Sequence, residues 1–362
     1  MDFHYDFKVK IPCNRNGKQK RFNSNQRSIS VTTSIANFST DIHTSLSTIA
    51  EPQQDGMPHV SILMCSYNGE RFISEQLGSI ERQTHANWSL IVSDDGSEDA
   101  TLQILEQFGK RWNTRRLKIV SGPGRGFAAN FLSLTSRTDI KSGLHAWSDQ
   151  DDIWHADKLA RAVTWLKTIP EYIPALYCAR SELVGETGST IGYSPLFRRP
   201  PQFTNALVQS ISGGNTMVFN EAARALLQEA GAMVNVPSHD WWADQLISGA
   251  GGEIYYDPEP RVQYRQHDGN VVGGNIDWST RLKRARMVFQ GRFITWNSQN
   301  IQALETMIHR LKPENKTTLL EFRSARNQRL INRILGVWRT RVHRQTLCQN
   351  LALFLATLFK KI

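Results

Sequence analysis

Four short apolar runs, each ending in a polar cluster and separated by stretches of helical periodicity, constrain this chain more than any other feature. The runs are HVSILMCSYN, WSLIVSDDGSEDAT, RLKIVSGPGRG and GLHAWSDQDDIW. The first intervening stretch, GERFISEQLGSIERQT, has Phe72, Ile73, Leu77 and Ile80 near helical spacing. The second, DATLQILEQFGKRW, opens on an N-cap-like Asp99, and the third is FAANFLSLTS. Strands alternating with helices in this way predict a parallel α/β sheet. In such sheets ligands bind beyond the carboxyl ends of the strands. The polar clusters fall at those ends: Ser66-Tyr67-Asn68, Asp94-Asp95, Gly124-Arg125-Gly126, and Asp149 to Asp152. A ligand site along one sheet edge is therefore expected.

Beyond these runs, QSISGGNTMVFN reads as a Gly-rich turn into a strand, and EAARALLQEAG as a helix. PSHDWWADQLISGAGG reads as a further helix start, and EIYYDPEPRVQYRQHDGN as strand, turn, strand and loop. Residues 1–56 are polar and rich in Ser, Thr and Asn, and read as a disordered leader. The chain of 362 residues carries a net charge of +10. Such a charge favours anionic partners in general, whether phosphates, nucleotides, nucleic acid or an anionic lipid surface. No aromatic-basic stacking motif accompanies it, so nucleic acid is not expected. The four cysteines are scattered with no CxxC, which argues against a zinc site and for a reducing, cytoplasmic setting. No window of 18 apolar residues is present, so no membrane span is expected. From Arg323 onward the chain carries basic residues and no acid. There Leu330, Ile331, Ile334, Leu335 and Trp338 recur near helical spacing, as in basic amphipathic helices that lie on anionic membranes. A solvated helical face is the plainer reading of the same pattern.

The motifs narrow the chemistry. Asp149, Asp151 and Asp152 sit between Trp147 and Trp154 in HAWSDQDDIWHADKL. Carboxylates crowded beside apolar bulk call for a counter-charge. Adjacent carboxylates at a strand end are hard oxygen ligands suited to Mg²⁺ or Mn²⁺; the plainer alternative is a solvated turn leading into a helix. In SDDGSED a carboxylate can accept a hydrogen bond from a nucleotide base, or simply shape a turn. GPGRG matches neither the GxxxxGK[ST] phosphate loop nor a GxGxxG dinucleotide fingerprint, although Arg125 remains a candidate phosphate contact. In SHDWW, Asp240 is a candidate general base or a helix-start residue, while Trp241 or Trp242 would stack on a sugar or pack in the core. His267, in a polar Gly/Asn loop, is a candidate metal ligand or phosphate donor.

Taken together, VSILMCSYNGERFISEQLGSIERQTHANWSLIVSDDGSEDAT resembles the opening of glycosyltransferase family 2, which has the GT-A fold. WSDQDDIWHADKL, HDWW and YRQHDGN resemble its bacterial rhamnosyltransferase-like branch. The match runs from about His59 to Gly274, with the motifs in the expected order. The resemblance implies a GT-A domain over residues 57–278, followed by a basic helical region over 279–362. It implies inverting, metal-dependent sugar transfer from a nucleotide diphosphate, dTDP-rhamnose being the first donor suggested, to a saccharide or lipid-linked acceptor in surface polysaccharide assembly. By position, Cys65, Tyr67 and Asn68 would line the nucleotide pocket, Asp94 would bind the base and Asp95 would lie close by. Asp149 and Asp151 would hold Mg²⁺ or Mn²⁺, with Asp152 beside them and His267 near the metal and diphosphate. Asp240 would deprotonate the acceptor, with Trp241 beside the sugar. The implied setting is cytoplasmic, peripheral to the inner face of the membrane. A sugar-phosphate nucleotidyltransferase and a non-catalytic binding module are the rival readings. The first lacks its basic Gly-rich loop after the first strand.

Overall fold

A computed structural model describes residues 56–112, 116–267 and 292–362. The leader and the 278 boundary expected from sequence lie outside these residues. Among the described residues there are nine strands, β1 (Val60–Ser66), β2 (Trp88–Asp94), β3 (Leu117–Ser121), β4 (Leu144–Ser148), β5 (Ile153–Trp154), β6 (Ala175–Val184), β7 (Thr190–Tyr193), β8 (Val218–Asn220) and β9 (Glu253–Arg265). The helices described before residue 268 are α1 (Ile73–Glu81), α2 (Thr101–Trp112), α3 (Phe127–Thr135), α4 (Lys158–Leu166), α5 (Phe203–Ala206), α6 (Glu221–Ala230) and α7 (His239–Gly249). Four are described after residue 291: α8 (Arg292–Thr306), α9 (Pro313–Asn327), α10 (Leu330–Arg339) and α11 (Leu347–Leu358).

The strands form one sheet in the order β3-β2-β1-β4-β8-β6-β9-β5, with β7 on β6. The first four are mutually parallel, as their alternation with helices predicts. Beyond β4 the sheet is mixed, because β8 runs antiparallel to both β4 and β6 while β9 is parallel to β6. Side chains alternate across the pleat. Val60, Ile62 and Met64 meet α1, α2 and α4 on one face, through Leu77, Leu105 and Leu159. Leu63 and Cys65 face the other layer, where Phe131, Leu227 and Trp242 pack. That second core continues without a break into Phe293, Leu304, Leu319 and Phe322 of α8 and α9.

Two expectations are corrected. GLHAWSDQDDIW is not one strand. The chain leaves the sheet after Ser148 and returns as β5, paired antiparallel with β9 at the far edge. Four strand spacings sum to about 19 Å, and five extended residues span at most about 17 Å. The sheet must curl for the aspartate loop to bridge it. EIYYDPEPRVQYR is likewise one strand rather than two. Its register on β6 jumps from Ala179–Asp257 to Arg180–Pro260, so the DPEP segment is absorbed as a bulge.

Candidate active site

The parallel register brings the strand ends together: Ser66 lies opposite Asp94, and Asp94 opposite Ser121. Asp94, almost buried, spends its carboxylate on its own neighbourhood. It accepts from Ser66 Oγ at 2.7 Å, Ser97 Oγ at 2.6 Å, Ser97 N at 2.8 Å and Gly96 N at 3.1 Å. About four lone-pair directions are available to a carboxylate, and four donors are aimed at them. A base N–H would have to displace one. Asp95 instead grips the next loop, accepting from Gly124 N at 2.6 Å and Gly126 N at 3.0 Å. Both glycines have positive φ, 63° and 85°, which is why the GPGRG loop needs them there. Arg125 stands exposed at the rim, its Nη1 donating to Met233 Sδ at 3.0 Å. Cys65 is nearly buried, and burial, then the charges of Asp149 and Asp95, push its thiol well up, so it stays protonated.

The Tyr67 loop is stitched to both neighbours. Asn68, at φ 47°, accepts from Glu98 N through Oδ1 at 2.8 Å, and its own N–H donates to Ser97 Oγ at 2.9 Å. Gln150, the middle residue of the Asp149–Asp151 pair, clasps Tyr67. Its Oε1 accepts from Tyr67 N and its Nε2 donates to Tyr67 O, both at 2.9 Å. The Tyr67 ring remains exposed beyond the strand end.

The aspartates divide their labour. Asp151 Oδ2 lies 2.9 Å from His267 Nε2, and the imidazole packs on Phe72 with ring centroids 4.8 Å apart. Burial first, then the charges of Asp151 and Asp240, raise the pKa of Asp149 to about 8, with Lys158 opposing. Asp152 is fully buried, its Oδ2 accepting from Asn215 Nδ2 at 2.6 Å and its Oδ1 from Arg265 N at 3.3 Å. These two bonds brace the loop from within, and burial, then the charges of Asp151 and Asp149, push the Asp152 carboxyl well up.

The counter-charge that the sequence called for is Lys158, and Arg265 braces the same loop; both are buried, and sequence reasoning singled out neither. Lys158 Nζ donates to Asn215 O at 2.6 Å and sits 3.2 Å from the Trp154 ring centroid. Burial lowers its pKa while Asp152 and Asp149 hold it up. Arg265 donates through Nε to Asp151 O at 3.1 Å, pairs with Glu75, and stacks on Phe72. Lys158 lies in an amphipathic helix and Arg265 at a strand end, where a cation ordinarily reads as solvated, so only their burial reveals the role.

Asp240 opens α7 with its carboxylate almost buried. Its Oδ2 accepts from Gly214 N at 3.1 Å and its Oδ1 from Trp241 N at 2.7 Å. Beside it, His239 stacks on Phe131 at 4.0 Å and is kept neutral by burial, its pKa lowered to about 4. A Cβ on Gly214 would stand 2.3 Å from His239 Nε2, so the SGGN turn approaches α7 only because residue 214 is glycine. Trp241 is a correction. Its indole is buried, with Nε1 donating to Ala206 O at 2.6 Å, so it is core packing and not a sugar platform. Trp242 is wholly buried as well. One turn further, Asp244 is buried with a pKa raised by desolvation to about 8.

Among the described residues no three His, Cys, Asp or Glu side chains form a ready-made metal cage. Mg²⁺ and Mn²⁺ sites do not require one, since such ions are commonly held by one or two carboxylates plus substrate phosphates and water. The Asp151–His267 contact, and an Asp149 carboxyl whose charge is disfavoured by burial and by Asp151 and Asp240, are compatible with such an open site.

The model of the family Glycosyl transferase family 2 matches residues 61–227. The chain is similar to dTDP-rhamnosyl transferase RfbG of Shigella flexneri, 30% identical over 237 residues, covering 62% of this chain and 78% of that protein. It is similar to UDP-Glc:alpha-D-GlcNAc-diphosphoundecaprenol beta-1,3-glucosyltransferase WfgD of Escherichia coli, 36% identical over 108 residues, covering 30% of this chain and 40% of that protein. Among solved structures, a mannosyltransferase from Pyrobaculum calidifontis in complex with GDP-Man and Mn²⁺ aligns over 84% of this chain and 86% of its own, at 18% identity and a TM-score of 0.47. A likeness that loose carries no functional weight.

Proposed function

Because this chain belongs to glycosyltransferase family 2, we propose that it performs inverting, divalent-metal-dependent transfer of a sugar, with dTDP-rhamnose the first donor to test, onto a saccharide or lipid-linked acceptor of a surface polysaccharide. One observation carries the reading: Asp149, Asp151 and Asp240 meet electrostatically beyond β4, with His267 against Asp151. Three carboxylates in mutual repulsion are costly unless their charge is used. A cation held by Asp149, Asp151 and His267 would offset the charge developing on the departing nucleoside diphosphate. The exposed Tyr67 ring and the Asn68 loop would receive the nucleotide, and Arg125 at the rim would meet phosphate. Asp240, oriented by two main-chain N–H groups, would take the acceptor proton. With Asp240 as the base, in-line displacement by the acceptor would invert the anomeric centre. A lipid-linked acceptor would be met at the cytoplasmic face of a membrane.

The test is release of nucleoside diphosphate from dTDP-, UDP- and GDP-sugars, each with Mn²⁺, Mg²⁺ or chelator, for the native protein beside Asp151→Asn and Asp240→Asn. Metal-dependent hydrolysis of one donor, lost in Asp151→Asn, is expected. Turnover unchanged in both variants would sink the residue assignment.

A further inference from the structure

Helices α10 and α11 turn their apolar faces away from the protein. On α10, Leu330, Ile331, Leu335 and Trp338 are exposed, Ile331 by 71% and Trp338 by 77%, while Arg333 and Val337 point inward. On α11, Leu347 is 84% exposed, and Leu351, Phe354, Leu355 and Phe359 are exposed along the same stripe. Its buried side consists of Gln349, Leu353, Ala356 and Thr357. Amphipathic helices on a globular protein normally do the reverse.

The exposure does not come from frayed helices. Buried Arg333 donates to Thr357 O at 2.7 Å, Leu358 O at 3.2 Å and Gln328 O at 2.8 Å, closing the last carbonyls of α11 and tying it to α10. Thr346 and Gln349 form a capping box at the other end of α11. Leu353 and Val337 anchor the pair in the main core. The outward faces are thus held in place.

Charge selects the occupant. Arg329, Arg339, Arg341 and Lys360 flank the apolar stripes and are exposed, and residues 322–362 contain no Asp or Glu. A second copy docked face to face would set cations against cations. A Leu, Phe and Trp face rimmed by cations, with few groups for specific hydrogen bonds, matches the interface of a bilayer with anionic headgroups. No described helix is long and apolar enough to cross a membrane. We infer that the apolar faces of α10 and α11 dock this protein in the headgroup layer of an anionic lipid bilayer. The inference rests on the proposed lipid-linked acceptor for its purpose only, and vesicle binding is read without any sugar transfer.

Flotation of the full chain with phosphatidylcholine vesicles, with and without phosphatidylglycerol, tests it at about 0.15 M salt. The native protein is expected to float with the anionic vesicles only. Leu335→Glu/Leu351→Glu is expected to remain at the bottom with its melting temperature unchanged. Arg339→Gln/Lys360→Gln is expected to bind about fivefold more weakly per cation removed. Failure of the native protein to float even at low salt overturns the inference, as does undiminished flotation of the Glu variant. So does a dimer in sedimentation equilibrium that the Glu variant dissolves while vesicles bind nothing, which would identify a second copy as the occupant. Donor hydrolysis on the same samples separates the two readings. Flotation without hydrolysis of any donor would leave the docking face standing and remove the transferase assignment.

Discussion

Gln150→Ala removes the clasp between the Tyr67 loop, where the nucleotide is proposed to bind, and the aspartate loop. The native amide exchanges two hydrogen bonds with the Tyr67 main chain, both at 2.9 Å. A typical hydrogen bond contributes about 0.5–1.5 kcal/mol net, and two partly exposed ones sum to about 1–2 kcal/mol. The truncation leaves no buried orphan, because the Tyr67 amide and carbonyl can turn to water. The cost therefore falls on the order of the loop rather than on the fold. Donor binding must then supply that ordering, and 1–2 kcal/mol is about a 5- to 30-fold rise in Kd. Titration calorimetry with the preferred nucleoside diphosphate and Mn²⁺ measures it. The expected result is a 5- to 30-fold weaker Kd with the melting temperature within about 3 °C of native. An unchanged Kd would refute the claim that Gln150 couples the two loops. A large fall in melting temperature would refute the claim that the clasp is local.

Other perturbations test the division of labour among the acids. Asp151→Asn should abolish donor turnover and leave thermal stability near native. Asp152→Ala should lower stability by about 1–3 kcal/mol, because Asn215 Nδ2 and the Arg265 N–H lose their buried acceptor; chemical denaturation distinguishes the two. Asp244, raised to about 8 in the folded chain, binds a proton there that the unfolded chain has released, so its contribution is lost as pH rises from about 4 towards 8. The difference in stability between native and Asp244→Asn should shift in favour of the variant across that window, and a pH-independent difference would remove Asp244 from consideration. Asp149 likewise must lose a proton to hold a cation. Mn²⁺ affinity should rise with pH up to about 8, approaching tenfold per unit, and Asp149→Asn should flatten the slope.

Much of the site was legible before folding. Strand ends carrying Ser66, Asp94 and Asp149 followed from apolar runs that stop in polar clusters, and the parallel register does align Ser66 with Asp94. His267, read as a candidate metal ligand or phosphate donor, lies 2.9 Å from Asp151, 116 residues earlier, a contact that no local pattern announces. Trp241 shows the limit of such reading. A tryptophan beside a candidate base is equally suited to sugar or core, and a backbone acceptor, Ala206 O, decides for the core.

What the sequence determined by itself is local: periodicity, turn chemistry and the stacking of polar residues at strand ends. These arise from interactions within a few residues, and they are enough to define a parallel α/β half and its ligand edge. What only the tertiary structure decided is which like-looking residues share an environment. Three aspartates in four positions become a site-facing pair and a buried brace because β9 delivers Arg265 N and the SGGN turn delivers Asn215 to Asp152 alone. Lys158 becomes a counter-charge, and Arg265 a brace on the Asp151 main chain, because folding takes them out of water. An exposed apolar face on α10 and α11 is visible only once their other sides are seen to be occupied. Solvation and long-range pairing belong to the folded whole, and no short stretch of chain encodes them.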